Sequence, residues 1–242
     1  MKVVNDLLGY DNLKIVQNPD WFSFSLDSVL LPNFVTLNKD VKNILDLGTG
    51  NAPIPMILTT LTETAQIYGI EIQKDVFEMA EESIKMNNLD SRIKLINDDM
   101  KKLDQYFEAN FFDVIVSNPP YFKLEELSKK NEDEHKTIAR HEEKITLSEL
   151  IKIAKKYLKN NGVFAMVHRS DRLIEIIEEM RLNNIEPKKI QLIYPKKNSN
   201  SNMVLIEGKK NGNPGLIIKE PLFIHDETGE YLEEINKIFF RR

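Results

Sequence analysis

The chain has 242 residues, 41% of them hydrophobic, enough for one α/β core and unlike a fibrous or disordered composition. It contains no cysteine, which excludes disulfides, thiolate metal sites and cysteine nucleophiles, and its four histidines fall at no metal-binding spacing, so no metal is expected. A net charge of −5 means that any contact with nucleic acid has to come from a local basic patch.

In chain order, residues 1–42 read as a lead-in covering a ligand site, and residues 43–242 as the main body of a single folded unit. The amino terminus meets an acid at Asp6, so no secretory signal is expected, and no run approaches the roughly 18 apolar residues that span a bilayer. A cytoplasmic protein without membrane contact follows. Trp21 and Phe22 suit a turn, and a helix is expected to start near Asp27, whose carboxylate can take an orphan N–H of the first turn. Asn43–Leu47 is a short apolar strand running into Gly48-Thr49-Gly50, with a helix over Ile54–Leu61 behind it. Ile67–Ile70 is a strand that ends at Glu71. The spacing of Val76, Met79, Ala80 and Ile84 is that of an amphipathic helix.

A strand over Arg92–Asn97 ends in Asp98-Asp99-Met100, and the apolar strand Phe112–Ser117 leads into Asn118-Pro119-Pro120-Tyr121. The charged stretch Leu124–Lys144 lacks apolar periodicity; it reads either as a substrate-side loop that orders on nucleic acid or as a plain solvated insertion. Beyond it come a helix from Leu147 ended by Gly162, a strand over Val163–Val167, a helix over Leu173–Leu182, and strands near Ile190–Tyr194 and Met203–Glu207. The alternation calls for a mostly parallel, seven-stranded α/β sheet with helices on both faces. The connector Lys196–Asn202 is expected to be a flexible loop near the active face. Leu216–Ile218 and Leu222–Ile224 suit a small hairpin before a helix over Tyr231–Phe240. Lys188, Lys189, Lys196, Lys197, Lys209 and Lys210 outnumber Glu186 and Glu207, and this stretch reads equally as an RNA footprint or as a solvated lysine-rich surface.

The chemistry concentrates at strand ends. Two consecutive prolines remove two N–H donors and leave bare carbonyls, so a planar amino group can donate to the Asn118 side-chain oxygen and the Pro119 carbonyl while Tyr121 offers a stacking face. The same tetrapeptide also reads as a turn that merely ends a strand. Gly48 and Gly50 allow close backbone approach to a nucleotide-like ligand. Pro53 stands where a dinucleotide fingerprint needs its third glycine, which argues against NAD or FAD. Glu71, about 20 residues on, suits a carboxylate that accepts ribose hydroxyls. Asp99 can take an adenine amino proton while Met100 covers the ring.

Taken together and in this order, Asp46-x-Gly48-x-Gly50, Glu71, Asp99 and Asn118-Pro119-Pro120-Tyr121 resemble the class I S-adenosylmethionine-dependent methyltransferases. Within them the chain is similar to the tRNA adenine-N6 branch, which the segments Phe22–Leu31, Ala139–Glu142 and Tyr194–Lys197 also resemble. The resemblance implies a Rossmann-like fold and S-adenosyl-L-methionine held by Asp27, Asp46, Gly48, Gly50, Asn51, Glu71, Ile72, Asp99, Met100 and Asn118. It implies catalysis by Asn118, Pro119, Pro120 and Tyr121, base stacking on Tyr121 and Phe122, and contacts from Arg140, Lys196 and Lys197 to RNA, a tRNA near its anticodon. One departure is Ala52, where that family's loop often carries another glycine. Alanine tolerates positive φ poorly, so either its backbone is ordinary here or the loop is shaped differently. The rival readings are a protein glutamine N5-methyltransferase, an rRNA guanine-N2 methyltransferase, and a noncatalytic RNA-binding protein that keeps the fold. The oligomeric state is not legible in the chain.

Overall fold

The structure is a computed structural model and describes residues 2–8, 10–19, 26–119 and 145–239, with the side chains of Asp11 and Phe239 excepted. Trp21, Phe22, Pro120, Tyr121, Arg140 and the whole Leu124–Lys144 stretch lie outside the described residues.

The lead-in is more structured than the sequence suggested. Two strands, β1 (Val3–Leu7) and β2 (Tyr10–Gln17), pair antiparallel as a two-stranded ribbon of their own. The helix α1 (Leu26–Phe34) follows at the expected place and buries Val29, Leu30, Leu31 and Phe34.

The main body alternates as read. Strand β3 (Asn43–Leu47), helix α2 (Pro53–Leu61), β4 (Gln66–Glu71), α3 (Lys74–Met86), β5 (Ile93–Asn97), a 3-10 turn over Met100–Gln105, and β6 (Phe112–Ser117) form the first half. Helix α4 (Leu147–Tyr157), β7 (Leu158–Arg169), α5 (Leu173–Leu182), β8 (Ile185–Lys196), β9 (Met203–Lys210), β10 (Ile217–Ile218), β11 (Leu222–His225) and α6 (Glu233–Phe239) form the second. The sheet order is β10-β8-β9-β7-β6-β3-β4-β5, with β11 also on β8, and β9 runs antiparallel to both its neighbours.

Two expectations need correcting. The segments at 216–218 and 222–224 do not form a hairpin: β10 and β11 each pair parallel to β8, one behind the other along the same edge, so the seven expected strands grow to a nine-stranded sheet. Gly162 does not end the preceding helix, which stops at Tyr157; Asn161 takes the left-handed turn (φ 62°), while Gly162 lies where a Cβ would meet Leu158 Cδ2 at 2.7 Å. Asparagine tolerates that conformation through its short polar side chain.

The period of two along each strand splits the core into two layers. Ile44, Val114, Val116, Ala165, Val167 and Leu205 face α1, α2, α3 and α6, whereas Leu45, Ile115, Phe164, Met166, Val204 and Ile206 face α4 and α5. Burial on both faces is why these strands read as continuous apolar runs. Among the described residues no helix is long and apolar enough to cross a membrane.

All strands that end near the expected site run the same way. Strand order reverses at β3, which has β4 on one side and β6 on the other. That is the switch point where an open α/β sheet leaves a crevice outside its carboxyl ends.

Candidate active site

The carboxyl ends of β3, β4, β5 and β6 bring the expected residues to one edge of the sheet. The loop after β3 carries three left-handed residues in alternation, Gly48 (φ 74°), Gly50 (φ 59°) and Ala52 (φ 67°). Ala52 therefore keeps the conformation that glycine favours, and its backbone is not ordinary. A left-handed alanine costs about 1–2 kcal/mol. Its fully buried methyl returns about 0.8 kcal/mol, which offsets part of that cost.

Helix α2 starts at Pro53 and has Pro55 two residues on, with Ala52 at its N-cap and no side-chain cap. Prolines at these positions remove N–H groups that would otherwise point at an anion. Met56 N donates to the Ala52 carbonyl (3.2 Å), so Ile54 has the remaining first-turn N–H. The amino end of α2 is thus poor in donors, which disfavours a pyrophosphate there and fits the rejection of a dinucleotide.

Glu71, at the end of β4, is 6% exposed and staples the loop: Oε2 accepts from Gly50 N (2.9 Å) and Oε1 from Gln73 N (3.0 Å). Burial raises its pKa, and the backbone donors pull it back down. Each carboxylate oxygen can still accept a second hydrogen bond. Asp46, one strand over, is wholly buried; the Thr49 hydroxyl lies close enough to act on it, yet neither the Asp46 oxygens nor Thr49 Oγ1 makes a hydrogen bond of good geometry among the described residues. Burial pushes Asp46 up to about 7, with the Thr49 hydroxyl lowering it and the charge of Glu71 adding to the rise. Unpaired buried acceptors of this kind are rare in finished cores.

Ile72 is 42% exposed at the mouth of β4, an aliphatic side chain with a free face. Asp99 caps the 3-10 turn, accepting from Lys101 N (2.9 Å), and Met100 lies under the loop, its Cε 3.8 Å from where a Gly48 Cβ would stand. Asn51 follows Gly50 in the loop. It is buried, and its Nδ2 donates to the Val16 carbonyl (3.1 Å), tying the loop to the amino-terminal ribbon. Asp27 is buried in the first turn of α1, one residue inside the helix start.

Asn118 follows β6 directly, and its Nδ2 donates to Ser28 Oγ of α1 (3.3 Å); Pro119 is buried. Ser117 Oγ donates to the Leu47 carbonyl (2.8 Å), locking the end of β6 to the end of β3. Asn97 Nδ2 donates to the carbonyls of Glu71 (2.8 Å) and Ile72 (3.2 Å) and so fixes the end of β4. Ser28, Ser117, Asn97 and Thr49 were not singled out from the sequence. Asn97 and Ser117 are each the last residue of an apolar strand, and that position was the available signal.

The lysine-rich stretch splits in two. Lys189 pairs with buried Glu207 (2.9 Å) and donates to the Phe34 carbonyl (2.7 Å), and Lys210 is buried, donating to Asn110 Oδ1 and to the carbonyls of Lys155 and Leu158. Both serve the fold. Lys196 and Lys197 are exposed at the active edge, roughly 25 Å along β8 from Lys188. Their connector is tied down rather than loose: Ser201 Oγ donates to the Ile193 carbonyl (2.9 Å), Ser199 Oγ to the Lys196 carbonyl (2.6 Å), and Ser170 Oγ to the Ser201 carbonyl (2.6 Å).

A methyltransferase domain family model matches residues 38–214. The tRNA1(Val) (adenine(37)-N6)-methyltransferase of Haemophilus influenzae is 30% identical over 235 residues, 96% of this chain and 97% of that one. The Porphyromonas gingivalis protein of the same name is 34% identical over 176 residues, covering 71% and 68%. Among solved structures, a predicted O-methyltransferase from Agrobacterium tumefaciens superposes with a TM-score of 0.71 at 18% identity, covering 88% of this chain and 95% of that one.

Proposed function

The chain belongs to the S-adenosylmethionine-dependent methyltransferases, in the family of tRNA1(Val) (adenine(37)-N6)-methyltransferases, and from that membership we propose that it methylates the N6 amino group of an adenine in tRNA, near the anticodon. The observation that carries the reading is the convergence, at one switch point, of unpaired buried acceptors on Asp46 and Thr49, a left-handed glycine loop, and Asn118-Pro119.

The residues present fit the cofactor. Asp46, Gly48, Gly50 and Glu71 would hold its ribose and amino-acid part, with Ile72, Asp99 and Met100 around the adenine. Asp27 borders the same crevice from α1, and the lead-in up to residue 42 acts as its cover. Asn51 is assigned to the cofactor with them, and its bond to the Val16 carbonyl also holds the loop's shape. When bound, S-adenosyl-L-methionine supplies an electrophilic methyl group.

The chain's own task is to present the acceptor. The Asn118 side-chain oxygen and the Pro119 carbonyl accept the two amino hydrogens of adenine, which turns the nitrogen lone pair out of the base plane's conjugation and fixes its direction. The target base leaves its neighbours' stack to reach this hook. Pro120, Tyr121 and Phe122 are assigned to the rigid turn and to base stacking on sequence alone, as Arg140 is to a phosphate. Lys196 and Lys197 extend the RNA contact along the active edge. Neither metal nor a covalent enzyme intermediate enters this scheme.

Asn118→Ala should lower turnover at least about a hundredfold, the scale for losing one preorganised polar contact at a reacting centre, while S-adenosylmethionine affinity by calorimetry stays within about tenfold. Near-normal transfer to tRNA by that variant would overturn the assignment. Nucleoside mass spectrometry of the product separates N6-methyladenine from N2-methylguanine, and a labelled protein product in place of RNA would favour glutamine methylation.

A further inference from the structure

Strands β4 and β5 run side by side as far as the pair Glu71 and Asn97 and then part: β4 turns through Ile72 and Gln73 into α3, while β5 goes on to Asp98 and Asp99. Where the backbones part, the Asn97 side chain takes over the ladder. Its Nδ2 donates to two successive carbonyls of the turn, Glu71 at 2.8 Å and Ile72 at 3.2 Å. A backbone carbonyl only accepts, so the arm of the Asn97 amide that faces both has to be the NH2, with one hydrogen for each.

The same turn is tied from its other side. Glu71 Oε1 accepts from Gln73 N (3.0 Å) and Oε2 from Gly50 N (2.9 Å). Ile72 is the middle residue of this turn and stands 42% exposed on it. An exposed isoleucine alone means little. One whose backbone is braced at both flanks, at the mouth of the crevice, presents a fixed apolar face.

We infer that Asn97 is a positioning residue for the cofactor: its amide extends the β4–β5 ladder by one rung and sets the Glu71–Ile72 peptide, holding Ile72 against the adenine and Glu71 at the ribose. This rests on the reading of Glu71 and Ile72 given above. Asn97 itself touches neither cofactor nor RNA in this scheme.

The effect belongs to cofactor affinity and not to methyl transfer, which takes place at the end of β6. The bond to Ile72 lies at the exposed surface, where water can replace it, whereas the Glu71 carbonyl belongs to a residue only 6% exposed. One neutral hydrogen bond biases a conformational equilibrium about fivefold, and a site whose competent form is less populated binds correspondingly more weakly. Asn97→Ala should therefore raise the Kd for S-adenosylmethionine about fivefold. The Kd for S-adenosylhomocysteine should rise by the same factor, since the two share their adenosine part. At saturating cofactor, kcat and the KM for tRNA should stay at wild-type values. The free protein should melt within about 4 °C of wild type, the most that one such bond is worth in a chain of this size. Asn97→Asp keeps the shape but sets a third oxygen against the two carbonyls. It should weaken S-adenosylhomocysteine, which lacks the sulfonium charge, at least as much as Asn97→Ala does.

A rise under about twofold in Asn97→Ala would overturn the inference, and so would a rise for S-adenosylmethionine alone, which would place the effect at the sulfonium. A fall in kcat, or a larger drop in melting temperature, would do the same by making Asn97 a general packing residue. Wild-type binding of S-adenosylhomocysteine by Asn97→Asp would also overturn it, since shape rather than the donor would then matter. Ile72→Ala run beside them tells two failures apart. If it weakens both ligands while Asn97→Ala weakens neither, only the role of Asn97 falls; if it binds both normally, the placing of Ile72 at the adenine falls and takes the role of Asn97 with it.

Discussion

At the residue scale, the free-energy consequence of the site is clearest at Asp46. A carboxyl whose folded pKa is about 7, against 3.8 unfolded, binds its proton more tightly in the native state. Its contribution is favourable at low pH and is lost as pH rises from about 4 to about 7. Asp46→Asn removes this titration. Two pK units separate pH 5 from pH 7, worth about 2.7 kcal/mol, so the variant's stability relative to wild type should be about 2–3 kcal/mol higher at pH 8 than at pH 5. Urea unfolding at both values checks this, and an equal difference at the two pH values would refute it. His168 has the opposite sign. Burial first, and the Arg172 charge second, hold it down at about 4, and Arg169 N donates to its Nδ1, so it is neutral near pH 7 and opposes folding only as pH falls below about 6.5. That Asp46, Gly48, Gly50, Glu71 and Asn118 gather at one edge of the sheet was legible from the sequence because each lies at or within three residues of the end of a recognisable apolar strand. The bond from Ser28 to Asn118 was not, since it joins residues 90 apart through a fold that no local pattern encodes.

At the scale of elements, the amino-terminal ribbon is held by side chains standing in for a missing strand. On the outer edge of β2, Lys14 N donates to Asn87 Oδ1 (2.8 Å) and Asn87 Nδ2 donates to the Lys14 carbonyl (2.6 Å). Val16 N donates to Ser83 Oγ (2.9 Å), and the Val16 carbonyl accepts from Asn51. Asn87 makes more of these bonds, yet Ser83 should matter more. Val16 is 1% exposed, so Ser83→Ala leaves a buried N–H unpaired, at about 1–3 kcal/mol, whereas the groups around Asn87 lie at the exposed surface and can turn to water. Chemical denaturation of Ser83→Ala and Asn87→Ala should give the larger loss for Ser83, and the reverse order would show the ribbon to be held elsewhere. The ribbon was missed in the sequence because its strand pattern is weak and its partners come from a helix. By contrast α1, α3 and the parallel strands were legible, since periods of 3.6 and two are imposed by burial itself.

For the whole molecule, the sheet has two chemically distinct edges. Tallying lysines along 184–215 merged them; the antiparallel turn of β9 sends Lys209 and Lys210 away from the active edge, a fact of topology that composition cannot contain. If Lys196 and Lys197 meet phosphates, each Lys→Ala change should weaken tRNA binding and reduce the slope of log K against log salt by about 0.7–0.9. Lys209→Ala should leave the slope unchanged. Equal slopes for all three variants in a filter-binding titration would remove these lysines from the RNA interface. The ribbon also bears on how the chain matures. Strand β2 is made early, but Ser83 and Asn87, which satisfy its outer edge, emerge about 70 residues later, a wait of roughly 4–14 s at 5–20 residues per second. Through that interval on the ribosome the outer edge of its second strand stays unclasped.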